Sequence, residues 1–170
     1  MDLASLVRNV PDFPVKGIQF KDVTTLLRNP AAFEQAIEDM SAPFANQGVD
    51  LVAAGESRGF IFGAPVANRL KAGFVPVRKL GKLPYQKIHE SYTLEYGAET
   101  LEMHQDACEP GQKVLIVDDL IATGGSARAT IALIERLGAQ VVGLSFLIEL
   151  KFLNGRERLS NHRVHSVIQY

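Results

Sequence analysis

Residues 114–127 read VLIVDDLIATGGSA: four apolar residues, two adjacent aspartates, then small residues around a glycine pair. Asp118 and Asp119 bring carboxylate oxygens that accept hydrogen bonds, which suits the vicinal hydroxyls of a sugar. Gly124 and Gly125 permit close backbone approach and unusual dihedrals, and Thr123 and Ser126 add hydroxyl donors. A helix opening at this glycine pair would expose unpaired amides and partial positive charge, a setting for phosphate. Because carboxylates in direct contact would repel that phosphate, the two halves of the segment suit different parts of one ligand. A phosphate joined to a diol is a sugar phosphate, and ribose 5-phosphate fits best. The plainer alternative is a turn in which the glycines bend the chain and the aspartates cap the helix.

Strand geometry restricts this reading. Successive side chains in a regular strand point to opposite faces. Asp118 and Asp119 both reach one ribose only if the chain departs from regular strand geometry there. Otherwise one of them holds the loop or a magnesium-bound water. A phospho-acceptor receiver domain also carries acids after an apolar strand, but it needs about 100 residues beyond them, and 51 follow Asp119. No G-x-G-x-x-G follows a strand and no G-x-x-x-x-G-K-[ST] is present, since Gly81 and Lys82 precede Leu83.

The elements that must position these residues follow from periodicity. A buried-strand pattern covers 113–119, with VLIV as its apolar stretch and DDLIATGG as the following loop, and a helix pattern covers 124–138. Asn29, Pro30 and Gly48 bound a predicted helix over 29–48. Residues 50–56 form a short apolar run, 57–73 a helix, and 74–79 a strand. The stretch 79–90 is basic and broken by Gly and Pro, so it reads as a loop. SYTLEYG and ETLEMH read as a two-stranded excursion around Gly97, and strands close the chain at 139–150 and 163–169. Strands alternating with helices predict an α/β fold, a mostly parallel twisted sheet flanked by helices.

Composition is that of a soluble globular domain, with 46% hydrophobic and 22% charged residues. A net charge of −1 gives no bulk attraction to nucleic acid or membrane. No apolar run reaches the roughly 20 residues of a membrane span, and the N-terminus shows no export-signal order. A single cysteine, Cys108, forms no internal disulfide, which fits a cytoplasmic location.

The 114–127 segment resembles the phosphoribosyl-diphosphate-binding motif of the type I phosphoribosyltransferases, with its apolar residues, two acids and threonine–glycine–glycine turn. PDFPVKGIQFKD (11–22), ESRGFIFG (56–63), RKLGKLP (78–84), SYTLEYG (91–97), and FLIEL and NGRERL within 146–159 are similar, in order, to blocks of the adenine-using members of that family. The resemblance covers nearly the whole chain. It implies a single domain over 1–170, with a small N-terminal hood (1–28) and a flexible catalytic loop region (79–97). The implied reaction converts adenine and 5-phosphoribosyl 1-diphosphate to AMP and pyrophosphate in purine salvage.

Residue by residue, the resemblance implies that Ala122, Thr123, Gly124, Gly125 and Ser126 cradle the 5′-phosphate, and that Asp118 and Asp119 face the ribose. Ser57, Arg58, Arg78, Lys79 and Lys82 would meet the pyrophosphate, as a guanidinium and a cluster of cations can. Leu80 stands where members can carry a further base. Phe20 would stack on the purine, Leu120 would close its opposite face, and backbone groups near Gln19 and Arg58 would read its edge. Glu95 matches the catalytic-loop glutamate, placed to accept or stabilise the proton lost by the purine nitrogen. Magnesium is implied to arrive on the diphosphate, and a homodimer is implied because such cations come partly from a neighbouring subunit. Two rivals remain at this point: transfer to a 6-oxopurine, and a regulatory module that binds phosphoribosyl diphosphate without turnover. The second would bring a DNA-binding region and a basic surface, which this chain lacks.

Overall fold

A computed structural model describes residues 1–94 and 96–170. Near the N-terminus, β1 (Arg8–Pro11) and β2 (Gln19–Asp22) pair as an antiparallel ribbon apart from the main sheet. The chain continues through α1 (Thr24–Leu27), α2 (Pro30–Ser41), β3 (Leu51–Gly55), α3 (Arg58–Leu70) and β4 (Gly73–Lys79). There follow β5 (Lys87–Thr93), β6 (Ala98–His104), β7 (Lys113–Ile121), α4 (Gly125–Arg136), β8 (Gln140–Glu149) and β9 (Val164–Gln169). Among the described residues, seven strands form one sheet in the order β5-β6-β4-β3-β7-β8-β9. From β4 to β9 the pairings are parallel, and β6 and β5 are added antiparallel at one edge.

Both sheet faces are covered, which is why the parallel strands read as unbroken apolar runs rather than alternating ones. Ala53, Ile116 and Leu144 pack with α4 residues such as Ile131 and Ile134. On the other face Val52, Leu115, Val117 and Leu147 pack with Met40 and Phe44 from the α2 region and with Phe62 and Val66 of α3. No helix of the described residues is long and apolar enough to cross a membrane.

Three boundaries differ from the sequence expectation, each for a local reason. The α2 helix has the expected start, with Asn29 Oδ1 accepting from the Ala32 amide at 3.2 Å. It stops at Ser41 rather than near Gly48, and a 3-10 turn over Ala42–Phe44 follows; Pro43 offers no amide to continue the α-helical ladder. Part of the expected 79–90 loop is strand, since β5 begins at Lys87 and alternates exposed and half-buried positions through Thr93. The resulting hairpin is no free excursion. Its inner strand joins the main sheet where Arg78 and Lys79 of β4 pair with Glu102 and Leu101. Finally, β7 runs through both aspartates to Ile121, where a loop was expected from Asp118 on.

After β8 the chain returns toward the acid pair through a 3-10 segment, Gly155–Leu159. Arg156 fixes it. Its Nε and Nη2 donate to the two oxygens of Glu149, both at 2.7 Å, and Nη1 donates to the Val164 carbonyl at 2.7 Å. Ser166 Oγ donates to Glu149 Oε2 at 2.5 Å. The Arg156 guanidinium holds the Glu149 carboxyl below the usual glutamate range, with burial opposing. Arg156→Met leaves a buried carboxylate without its counter-ion and is expected to cost about 2–3 kcal/mol in urea unfolding at pH 7. The depressed pKa makes this a contribution of the ionised state, so the gap to wild type should close as the pH falls through and below the glutamate range.

Candidate active site

At the carboxyl end of β7 the side-chain alternation slips by one. Ile116 packs on the α4 side and Val117 on the α2–α3 side, yet Leu120 packs with the latter and Ile121 with the former. The slip falls on Asp118 and Asp119. The Asp119 amide is bonded by the side chain of its neighbour, Asp118 Oδ1, at 2.8 Å. Both carboxylates consequently line one cleft of about 580 Å3, a size ordinary for small-molecule sites. Gly59 makes room behind them: a Cβ there would lie 2.8 Å from Asp118 Oδ1. Asp119 is buried and lies 2.9 Å from Arg58 Nε. Burial and the neighbouring Asp119 push the Asp118 carboxyl well above the aspartate range. Burial also raises Asp119, and the Arg58 guanidinium opposes that rise.

Beyond the acids, Ala122, Thr123, Gly124, Gly125 and Ser126 line the same cleft as β7 turns into α4. Gly124, at φ 84°, is the helix N-cap, so the first amides of a three-turn helix are free to meet an anion. At Gly124 no side chain fits, and at Gly125 one is tightly hemmed in. A Cβ on Gly124 would lie 2.6 Å from the Gly155 carbonyl oxygen, and one on Gly125 would lie 3.0 Å from the Tyr92 ring. The 3-10 segment fixed by Arg156 is thereby the back wall of the loop, backbone against backbone.

Of the residues expected to meet the pyrophosphate, Ser57, Arg58 and Lys79 line the cleft, whereas Arg78 and Lys82 do not. Arg78 Nε is instead 3.2 Å from Glu56 Oε1, an oxygen that also accepts the Lys79 amide at 2.7 Å. Lys79 Nζ lies 2.8 Å from Glu99 Oε1. On the base side, Phe20 and Leu120 line the cleft. The Phe20 ring packs edge-on against Phe13 at 5.1 Å, and the Arg58 guanidinium sits 5.0 Å from its centroid. Gln19 does not line the cleft, and its Oε1 accepts from Asn9 at 2.7 Å. Glu95 lies outside the described residues.

Sequence reasoning passed over Glu56, Tyr92, Glu99 and Thr130, all cleft residues. A signal for two of them existed: once β5 and β6 turn at Gly97, Tyr92 and Glu99 face each other in register. Among the described residues no three His, Cys, Asp or Glu side chains gather to hold a metal ion.

A parallel sheet with an acid pair and a glycine helix entry at one strand end, facing one cleft, defines a sugar-phosphate transferase domain. The sequence profile of the phosphoribosyl transferase domain matches residues 22–167, and the chain belongs to that family. An adenine phosphoribosyltransferase of Symbiobacterium thermophilum is 56% identical over 170 residues, covering 100% of both chains. The crystal structure of adenine phosphoribosyltransferase from Rhodothermus marinus superimposes with a TM-score of 0.95 at 57% identity, over 99% of this chain and 96% of that one. The APRTase of Giardia lamblia complexed with 9-deazaadenine does so with a TM-score of 0.94 at 38% identity, again over 99% and 96%.

The acid pair carries a measurable cost. A carboxyl whose folded pKa is raised holds its proton when the unfolded chain has already lost it, so it subtracts stability as the pH rises past the unfolded value. Asp118→Asn keeps an oxygen to accept the Asp119 amide but removes the repulsion. It is expected to raise Tm by a few degrees, roughly one kcal/mol, at pH 8 and by less at pH 4. Thermal melts at both pH values check this, and a Tm lowered at pH 8 would contradict it.

Proposed function

We propose that this protein transfers the phosphoribosyl group of 5-phosphoribosyl 1-diphosphate to adenine, forming AMP and pyrophosphate in purine salvage. The observation that carries the reading is the convergence of three features on one cleft: the glycine helix entry, the acid pair and the aromatic ring of Phe20. Each suits one part of the ligands, namely phosphate, ribose diol and purine. The near-full-length similarity to adenine phosphoribosyltransferases selects adenine among the purines.

In this reading the amides and hydroxyls of Ala122–Ser126 hold the 5′-phosphate, and Asp118 and Asp119 accept from the ribose hydroxyls. The purine nitrogen attacks the anomeric carbon as the bond from that carbon to the diphosphate oxygen breaks, and positive charge develops on the sugar. Two carboxylates beside that ring favour the charge. Ser57, Arg58 and Lys79 receive the departing pyrophosphate, with Arg78 beside Lys79 on β4 and Lys82 just beyond that strand. Phe20 and Leu120 flank the base, and backbone groups near Gln19 and Arg58 read its edge, rejecting a 6-oxo group that leaves a buried polar partner unpaired. Glu95 takes up or stabilises the proton released by the purine. A magnesium ion bound to the diphosphate would neutralise part of its charge. The protein acts as a homodimer in the cytoplasm, a reading consistent with its single cysteine.

The decisive assay compares AMP formation from adenine with turnover of hypoxanthine, guanine and xanthine. Adenine should be preferred by orders of magnitude in kcat/KM; preferred turnover of a 6-oxopurine, or none with adenine, would reject the reading. Glu95→Gln keeps the shape but removes the proton acceptor, and kcat is expected to fall about 10²-fold with adenine affinity little changed. A decrease of only two- or threefold would make Glu95 an ordinary loop residue. Gly125→Val puts a branched side chain at the helix entry, its Cβ 3.0 Å from the edge of the Tyr92 ring. Calorimetry should then show AMP binding lost and adenine binding less affected, while retained AMP binding would place the phosphate elsewhere.

A further inference from the structure

Glu99 turns each of its oxygens onto a different cleft residue. Oε2 accepts from the Tyr92 hydroxyl at 2.8 Å, and Oε1 lies 2.8 Å from Lys79 Nζ. All three side chains line the cleft together with the Gly124–Gly125 turn. Titration follows the geometry: the Lys79 hydrogen bond holds the Glu99 carboxyl below its usual range, and Glu99 in turn raises Lys79. Burial first, and the hydrogen bond to Glu99 second, raise the Tyr92 hydroxyl. Glu56 also lies near Lys79, but its Oε1 is taken by the Lys79 amide and the Arg78 guanidinium. The ammonium is therefore left to Glu99.

The pair does little for folding. The Lys79 side chain is 55% exposed and that of Glu99 27%, and ion pairs so open to solvent contribute little stability. Its placement matters more for ligands. A carboxylate that occupies a cation on the wall of a cleft that must admit a diphosphate opposes that ligand by withholding the cation from it. We propose that Glu99 sets the pyrophosphate affinity of the cleft by competing with the diphosphate for Lys79. This rests on reading the cleft as a phosphoribosyl-diphosphate site. Entry of the diphosphate exchanges one anionic partner of Lys79 for another, so the net gain in binding is small. After bond breakage Glu99 recaptures the ammonium, and the pyrophosphate leaves the more easily. A side chain that weakens ground-state binding of the leaving group in this way favours turnover over product retention.

The test titrates magnesium pyrophosphate into the full-length protein by calorimetry, for the wild type, Glu99→Gln, Lys79→Met and the double variant, with AMP as a second ligand. Glu99→Gln keeps size and polarity, and it should tighten pyrophosphate about fivefold while leaving AMP within about twofold. Lys79→Met should weaken pyrophosphate, and adding Glu99→Gln to it should change nothing further, because the interaction runs through the ammonium. A purely structural role in the hairpin predicts the opposite sign, a looser wall and weaker pyrophosphate. Unchanged or weaker pyrophosphate binding in Glu99→Gln overturns the proposal. So does an equal gain in the Lys79→Met background, which would mean general repulsion, or a Lys79→Met variant that binds as wild type does. The enzymatic reading fails separately: a wild type that makes no AMP rejects it, whereas the titrations still decide the role of Glu99.

Discussion

Two carboxylates lie side by side at the end of a central strand, one of them buried, and much of the surrounding structure answers to that constraint. Adjacent like charges withdrawn from water are costly unless something offsets them. Among the described residues the offsets are the Arg58 guanidinium and backbone amides on Asp119, and a backbone amide on Asp118; burial still raises both carboxyls. The site is left short of positive charge. That shortage is what a ligand with hydroxyl donors, and an electron-poor sugar carbon, can supply.

The slip in side-chain alternation makes this possible. Hydrogen bonding continues along β7 to Ile121, so the strand does not end before the acids. Instead the Asp118 side chain bonds the next amide, and the two residues share the step between faces. Gly59 then removes the side chain that would otherwise collide with Asp118. The glycine turn beyond needs equal support. It is held from behind by the Gly155 backbone, which Arg156 and Glu149 tie to the ends of β8 and β9. An ion pair outside the cleft thus supports the glycine turn that lines it, in the way positioning groups commonly support a site.

The antiparallel hairpin gives the cleft its third wall. Because β6 pairs with β4 at Arg78 and Lys79, the hairpin and the basic segment share one framework. Glu56, Glu99 and Glu102 each engage that segment, at the Lys79 amide, the Lys79 ammonium and the Gly81 amide. Acids therefore hold the cation-bearing edge of the cleft at three points.

The α/β class and the order of most elements were legible in the sequence, because these rest on local periodicity, and the residue types of the acid pair and glycine turn pointed to a sugar phosphate. Phe20, Leu120, Ser57 and Arg58 came from resemblance to a family, and the structure gathers them at the cleft. The tertiary structure decided what local pattern cannot carry. It showed both aspartates on one cleft, since parity along a strand is broken by an amide's choice of partner. It extended the expected hairpin into part of an apparent loop, since β5 gains its partner only when β6 docks on β4. It also separated Lys79, which lines the cleft, from Arg78, because adjacent side chains on a strand point to opposite faces, and from Lys82, which lies beyond the end of β4. Glu99 belongs wholly to this second group: its partners Tyr92 and Lys79 are seven and twenty residues away, and only strand register brings them within a hydrogen bond.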